Sequence, residues 1–241
     1  MTESRLITTL VGDLGKRFST SLGIDLAGCD SAQIFKWLSA SLLFGARISE
    51  NIVINTYRQF EKEAIFSAKQ MLNTGWDGLV KLLDEGGYVR YDFKTATKLL
   101  DVMKTLQKQY GGDLSRLHCQ ADGPSDLESR LKSLGKGVGE VTINIFLREL
   151  RGIWEKADPP PGHLVILAAS NLKLCPKESS AKEVLDELRS VWQKSPVKGK
   201  TFIDFETALV RLGKDFCRKE KCSSCLVRSY CRSNRIEKRV G

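Results

Sequence analysis

Apolar residues recur at helical spacing along nearly the whole chain, and no stretch alternates apolar and polar residues as a strand would. Residues 30–43 set the pattern. Asp30 stands as an N-cap, and Ile34, Trp37, Leu38, Ser41 and Leu42 follow on one face. The same spacing predicts one or two helices over 49–71 and a short one over 75–85 ending at Gly86-Gly87. Another runs from about 92 to 109, with Leu99, Leu100, Val102, Met103 and Leu106, and stops at Gly111-Gly112. Helices over 125–134 and 140–151 flank a glycine-rich turn. Asp158 before Pro159-Pro160-Pro161 reads as an N-cap with proline in the first turn, opening a helix to about 172. Segments 179–193 and 203–216 complete the set, so the expected class is all-α. The N-terminal amphipathic stretch (Leu6, Leu10, Val11, Leu14, Phe18) has no local partner. Packing on the C-terminal helices would make the second domain discontinuous in sequence.

At 241 residues with 41% hydrophobic content the chain can bury a proper core, so its seven cysteines are not needed to replace one. No apolar run approaches the length of a membrane span, and the N-terminus lacks the basic and apolar regions of a leader. These features predict an intracellular protein, in which cysteines act as metal ligands or buried thiols. Cys29, Cys119 and Cys175 are isolated and read as structural. Cys217, Cys222, Cys225 and Cys231 are different: their C-x4-C-x2-C-x5-C spacing can bring four thiols to one inorganic centre. His118 and His163 are isolated in sequence and read as surface or packing residues rather than ligands.

The net charge of +9 is concentrated where those cysteines lie. Residues 211–241 carry +7 and the other 210 residues only +2. Charge so localised is the footprint of a phosphate-binding surface, with Arg218, Lys219, Lys221 and Arg228 interleaved among the cysteines. A second phosphate grip is expected at Leu134-Gly135-Lys136-Gly137-Val138-Gly139-Glu140-Val141-Thr142. Glycines 137 and 139 allow positive φ and close approach, the following helix offers unpaired N–H groups, and Val138 can plug into the core.

Residues 134–142 resemble the helix-hairpin-helix motif of the endonuclease III-like DNA glycosylases, and the cysteine quartet resembles that family's iron–sulfur loop. "ETALVRLGKDFC" is similar to the helix leading into the family's first cysteine, and "WLSASLLFGA" (37–46) to an early helix of its fold. The resemblance spans about residues 30–231 in the right order. It implies two helical lobes with an interlobe cleft: a central lobe at 28–151 bearing the hairpin, and a second lobe of 1–27 with 152–241 bearing the cluster. It implies a [4Fe-4S] cluster on the four cysteines, with zinc as the alternative, and a monovalent cation at the hairpin. The partner it implies is double-stranded DNA with a damaged or mispaired base, bound by a monomer in the cytoplasm, associated with the nucleoid through DNA. The DNA contacts fall on Gly135, Lys136, Gly137, Val138, Gly139 and Thr142, and on Arg218, Lys219, Lys221 and Arg228. Val89, Arg90 and Arg47 take the positions that fill the gap left by a flipped base, and Tyr88 or Tyr91 would stack on a base.

Two departures shape the expected chemistry. The lysine that acts as an amine nucleophile in bifunctional members is replaced by Val141. The family's aspartate corresponds best to Asp158, although "DPPPGHLV" differs from the family's usual "VDTHV". Asp158 as the catalytic carboxylate and no lysine at 141 imply hydrolytic base removal with weak or absent strand cleavage. Two alternatives stand beside it: a non-catalytic, structure-specific DNA-binding relative, and a bifunctional enzyme using Lys136.

Overall fold

A computed structural model of the chain describes residues 2–176 and 178–231. Arg232, Arg235, Glu237, Lys238 and Arg239 of the basic segment lie outside the described residues. The structure is all-α, with no strand among the described residues. No described helix is long and apolar enough to cross a membrane. The chain divides into two compact units, one of residues 22–159 and one of 1–21 with 160–241. Residues 22–27 and 152–159, expected in the cluster-bearing lobe, therefore fall in the central unit.

The N-terminal stretch forms α1 (Thr2–Leu14) and the single turn α2 (Phe18–Ser21). The central unit then runs through α3 (Ser31–Phe44), α4 (Glu50–Lys62), α5 (Ala68–Glu85), α6 (Asp92–Tyr110), α7 (Leu114–Gln120), α8 (Pro124–Ser133) and α9 (Glu140–Leu150). Asp30 caps α3 by accepting from the N–H groups of Ala32 and Gln33. Of the one or two helices expected over 49–71 the structure forms two: Ala64 takes a left-handed φ of 52°, and Ser67 caps α5 through the Gln70 N–H. Gly75, at φ 70° and ψ 178°, breaks α5 in turn. Gly111 at φ 65° ends α6 in the left-handed conformation that a helix C-terminus favours in glycine. Within the unit's core lies the buried Trp37, whose indole N–H donates to the Phe146 carbonyl at 3.0 Å and so fastens α3 to α9.

The other unit joins α1 and α2 to α10 (His163–Leu172), α11 (Ala181–Lys194) and α12 (Phe202–Leu212), followed by a π-helical turn Gly213–Cys217 and a 3-10 turn Arg228–Tyr230. The expected start of α10 is corrected by the structure. Its N-cap is Gly162, not Asp158. Each proline disfavours helical dihedrals in the residue before it, so Pro159-Pro160-Pro161 keeps Asp158 and the first two prolines out of the helix and postpones its start. α1 packs on α12, and their junction is fixed by Arg17. Its Nε donates to Asp204 Oδ1 at 3.0 Å, and one terminal nitrogen donates to Thr201 Oγ1 at 2.8 Å and Asp204 Oδ2 at 3.2 Å.

Burial alone would raise the Asp204 carboxyl. The hydrogen bonds and charge of Arg17, with the Thr201 N–H, outweigh it and hold the carboxyl below its usual range. A depressed carboxyl contributes stability above its unfolded value, about 3.9, and loses it as pH falls through the folded value. We expect Arg17→Ala to lower stability at neutral pH by about 2 kcal/mol, the order of a charge-assisted hydrogen bond. The deficit relative to the unaltered chain should shrink below about pH 4, which denaturant titrations at several pH values would measure.

Candidate nucleic-acid interface and carboxylate site

The last turn of α3 organises the central unit's surface. A helix leaves its final carbonyls without intrahelical partners. Here the Tyr88 hydroxyl donates to the Leu43 carbonyl at 2.8 Å, and Lys98 Nζ donates to the Leu42 carbonyl at 2.7 Å. One residue past the helix, a methyl on Gly45 would overlap the Thr142 hydroxyl, so the start of α9 lies directly against this corner. Three predicted segments are thereby tied to one short stretch: the 86–91 loop, the turn holding Arg47, and the glycine hairpin.

Within the hairpin Val138 is only 4% exposed and acts as the plug. Gly137 has φ 92°, a conformation that disfavours any side chain. A Cβ on Gly135 would press on Val102 of α6 at 2.9 Å, so the turn is seated closely on that helix. Gly139 departs from expectation: at φ −99° and ψ 178° it is ordinary extended backbone, and a Cβ there would meet open space. Its place at the N-cap of α9 leaves the first N–H groups of that helix adjoining an exposed surface. Lys136 is exposed on the same turn. Thr142 is a correction as a side-chain contact, because the residue is 3% exposed and its hydroxyl lies against Gly45. Val141, by contrast, is 56% exposed.

Val89 and Arg47 are exposed, and the Arg90 guanidinium lies 5.4 Å from the centroid of the half-buried Tyr91 ring. Tyr88 cannot stack on a base: it is wholly buried, and its hydroxyl is committed to α3. Lys98 is a residue that sequence reasoning missed. Its stem passes under Gly137, and burial lowers its amine to about 8, with the neighbouring Lys94 charge adding to the shift. No local pattern marks it, since a lysine on a helical surface is ordinary.

Asp158 sits at the other end of α9. Arg151, the C-cap of that helix, donates from one guanidinium nitrogen to Asp158 Oδ1 and from the other to the Pro159 carbonyl at 2.7 Å. The segment between them is firmly anchored. Trp154 is buried, stacks on His118 at 4.6 Å and meets Phe146 edge-on at 5.6 Å. Lys156 Nζ donates to the His118 carbonyl at 3.1 Å. His118 thus packs, its ring held below the usual imidazole range by burial and then by the Lys156 charge. Asp158 and the hairpin are joined through the body of α9, ten residues or about 15 Å of helix between Val141 and Arg151.

In the other unit the cysteines occupy a partly exposed loop. The π-helical turn carries Cys217 beside Asn171 of α10, to whose carbonyl the Cys231 thiol donates at 3.5 Å. Glu220 closes the short C-x4-C gap with a left-handed φ of 52°. The Val227 N–H points at the Cys225 sulfur, a contact that favours thiolate. Burial pushes the Cys217 and Cys225 thiols up, and the neighbouring cysteines of the quartet add to the shift in both. The four residues therefore share one neighbourhood, and their soft donors suit zinc or an iron–sulfur centre. Among the described residues no three His, Cys, Asp or Glu side chains are grouped as a metal ion would need. Arg218, Lys221 and Arg228 are exposed, while Lys219 reaches Asp215 at 3.4 Å. Of the three isolated cysteines expected to be structural, Cys175 is buried but Cys29 and Cys119 are exposed. His163 is exposed at the start of α10. Compared with known proteins, the chain matches no family model and no curated protein.

The two hairpin glycines should respond differently to substitution. Gly137→Ala forces a side chain into the left-handed region and against Lys98, and should cost about 1–2 kcal/mol. Gly139→Ala should leave the unfolding midpoint nearly unchanged, and thermal melts of the two variants separate these outcomes.

Proposed function

We propose that this chain is a DNA glycosylase that removes a damaged or mispaired base by hydrolysis. The observation that carries the reading is the hairpin. A buried valine plug, a glycine at positive φ and a helix N-terminus facing an exposed surface form a backbone grip for phosphate. The corner also carries exposed Val89, Arg90 and Arg47, which suit the space vacated by a flipped base. The exposed Arg218, Lys221 and Arg228 of the cysteine loop supply a second, sequence-independent contact to the DNA backbone. A monovalent cation at the hairpin belongs to the same proposal, as does action as a monomer on nucleoid DNA.

Asp158 is the proposed carboxylate at the reacting sugar. The C1′–N bond breaks with its electron pair leaving on the base, and the carboxylate faces the positive charge that develops on the sugar. Water adds at C1′ and gives its proton to Asp158, which passes it to the departing base. The half-exposed carboxylate and its fixed position suit this role. Cys217, Cys222, Cys225 and Cys231 would hold an iron–sulfur cluster whose contribution is to order the basic loop.

Two other readings have observations behind them. A bifunctional enzyme is favoured by the amines at the hairpin, exposed Lys136 and Lys98 with its lowered pKa of about 8. A non-catalytic binder is favoured by Val141, which offers no nucleophile.

A lesion-panel assay with and without alkali discriminates the three. Base release with breaks appearing only after alkali is the expected result. An adduct trapped by borohydride identifies an amine nucleophile, and binding without release from any lesion identifies the non-catalytic reading. Asp158→Asn should slow release by at least about 100-fold, as loss of transition-state charge stabilisation does. Purified protein should be brown with broad visible absorbance, and Cys222→Ala should lose that colour; a colourless zinc protein would replace the cluster assignment.

A further inference from the structure

The carboxylate proposed to work at the sugar is not held as a helix cap holds one. A cap carboxylate is fixed by the backbone N–H groups of the two or three residues after it. After Asp158 those residues are Pro159, Pro160 and Pro161, none of which has an N–H. The N-cap of α10 is Gly162 and its first residue His163, so Asp158 is not the cap of that helix. The Arg151 guanidinium meets both the Asp158 carboxylate and the Pro159 carbonyl. The arginine side chain is 7% exposed and the aspartate side chain 37% exposed, so a buried cation holds a carboxylate that reaches outward. Arg151 is itself fixed in position, because it ends α9 and adjoins the buried Trp154.

We propose that Arg151 is the positioning residue of the site. It sets the side-chain conformation of Asp158 and, through α9, the separation between that carboxylate and the hairpin that grips the DNA backbone. The inference rests on the glycosylase reading and specifies how its carboxylate is held. Arg151 acts through Asp158 and makes no contact with the reacting atoms. Its guanidinium also draws on the carboxylate's charge, a cost accepted for a fixed geometry. A lysine cannot reproduce the arrangement, since one ammonium cannot present the planar fork that meets two acceptors at once.

The test is a double-substitution cycle read by single-turnover base release, with duplex affinity and thermal unfolding measured on every variant. Arg151→Lys, which keeps the charge, should lower the release rate by about 10-fold or more with affinity for lesion DNA little changed. Arg151→Gln should lower it further. Combined with Asp158→Asn, neither should slow release beyond Asp158→Asn alone, because the route through Asp158 is already lost. Added guanidinium ion should partly restore Arg151→Gln. Independent, multiplicative losses, or an Arg151→Lys variant as fast as the unaltered chain, would overturn the inference while leaving the activity intact. Absence of base release by the unaltered chain on every lesion would overturn the activity and the inference with it.

Discussion

The C-terminal turn of α3 is the constraint on which the central unit's surface depends. Its carbonyls must find donors, and in a buried corner water cannot supply them. Tyr88 and Lys98 meet the demand from two different segments, and Thr142 closes against Gly45 beside them. One requirement of helix termination thus fixes the 86–91 loop, α6 and the first turn of α9 to one point. The Lys98 bond matters most in energy, because a bond from a charged donor contributes about 1.5–3 kcal/mol against about 1 for a neutral pair. Its strength also depends on the proton: with the amine lowered to about 8, Lys98 is still mainly charged at neutral pH, and the charged form is lost above that value.

How the chain is divided into helices was legible wherever local rules decide. Asp30 capping α3 and Gly111 ending α6 follow from side-chain oxygen chemistry and from glycine's access to positive φ. The short α7 escaped because seven residues cannot display a helical period clearly. The start of α10 was misread because proline is compatible with the first turn of a helix, whereas three in a row also restrict the residues before them. In the site, the hairpin's plug and its strained glycine were legible from "GKGVG". The roles of Lys98 and Arg151 were not. Lys98 meets a carbonyl 56 residues away, and Arg151 meets a carboxylate seven residues away beyond a helix end. Neither pairing follows a local spacing rule.

The cysteine loop shows the same division between spacing and environment. Its spacing is plain in the sequence, but the π-helical turn that delivers Cys217 and the left-handed Glu220 that closes the shortened gap are not. Burial and the neighbouring cysteines both favour protonated thiols at Cys217 and Cys225. Only a cation or a directed N–H opposes that preference, and the Val227 N–H provides one such contact. Binding of any metal centre there would have to displace protons, so its affinity would fall as acidity rises.

Asp158 illustrates why magnitudes separate two uses of one residue. As a helix cap it would contribute about 1 kcal/mol, and its loss would be a minor event for the fold. As the partner of a buried guanidinium it is costlier to delete, because its removal takes the counter-charge from a buried cation. Replacement by alanine therefore confounds folding with chemistry. Asparagine keeps an oxygen for Arg151 and removes the negative charge, so it separates the electrostatic role proposed for the carboxylate from the anchoring of the segment. The same reasoning explains why the proline run does not loosen this end of the unit. The N–H groups it lacks are replaced by one side chain that reaches both the carboxylate and the adjoining carbonyl, and Trp154 and Lys156 fix the intervening backbone.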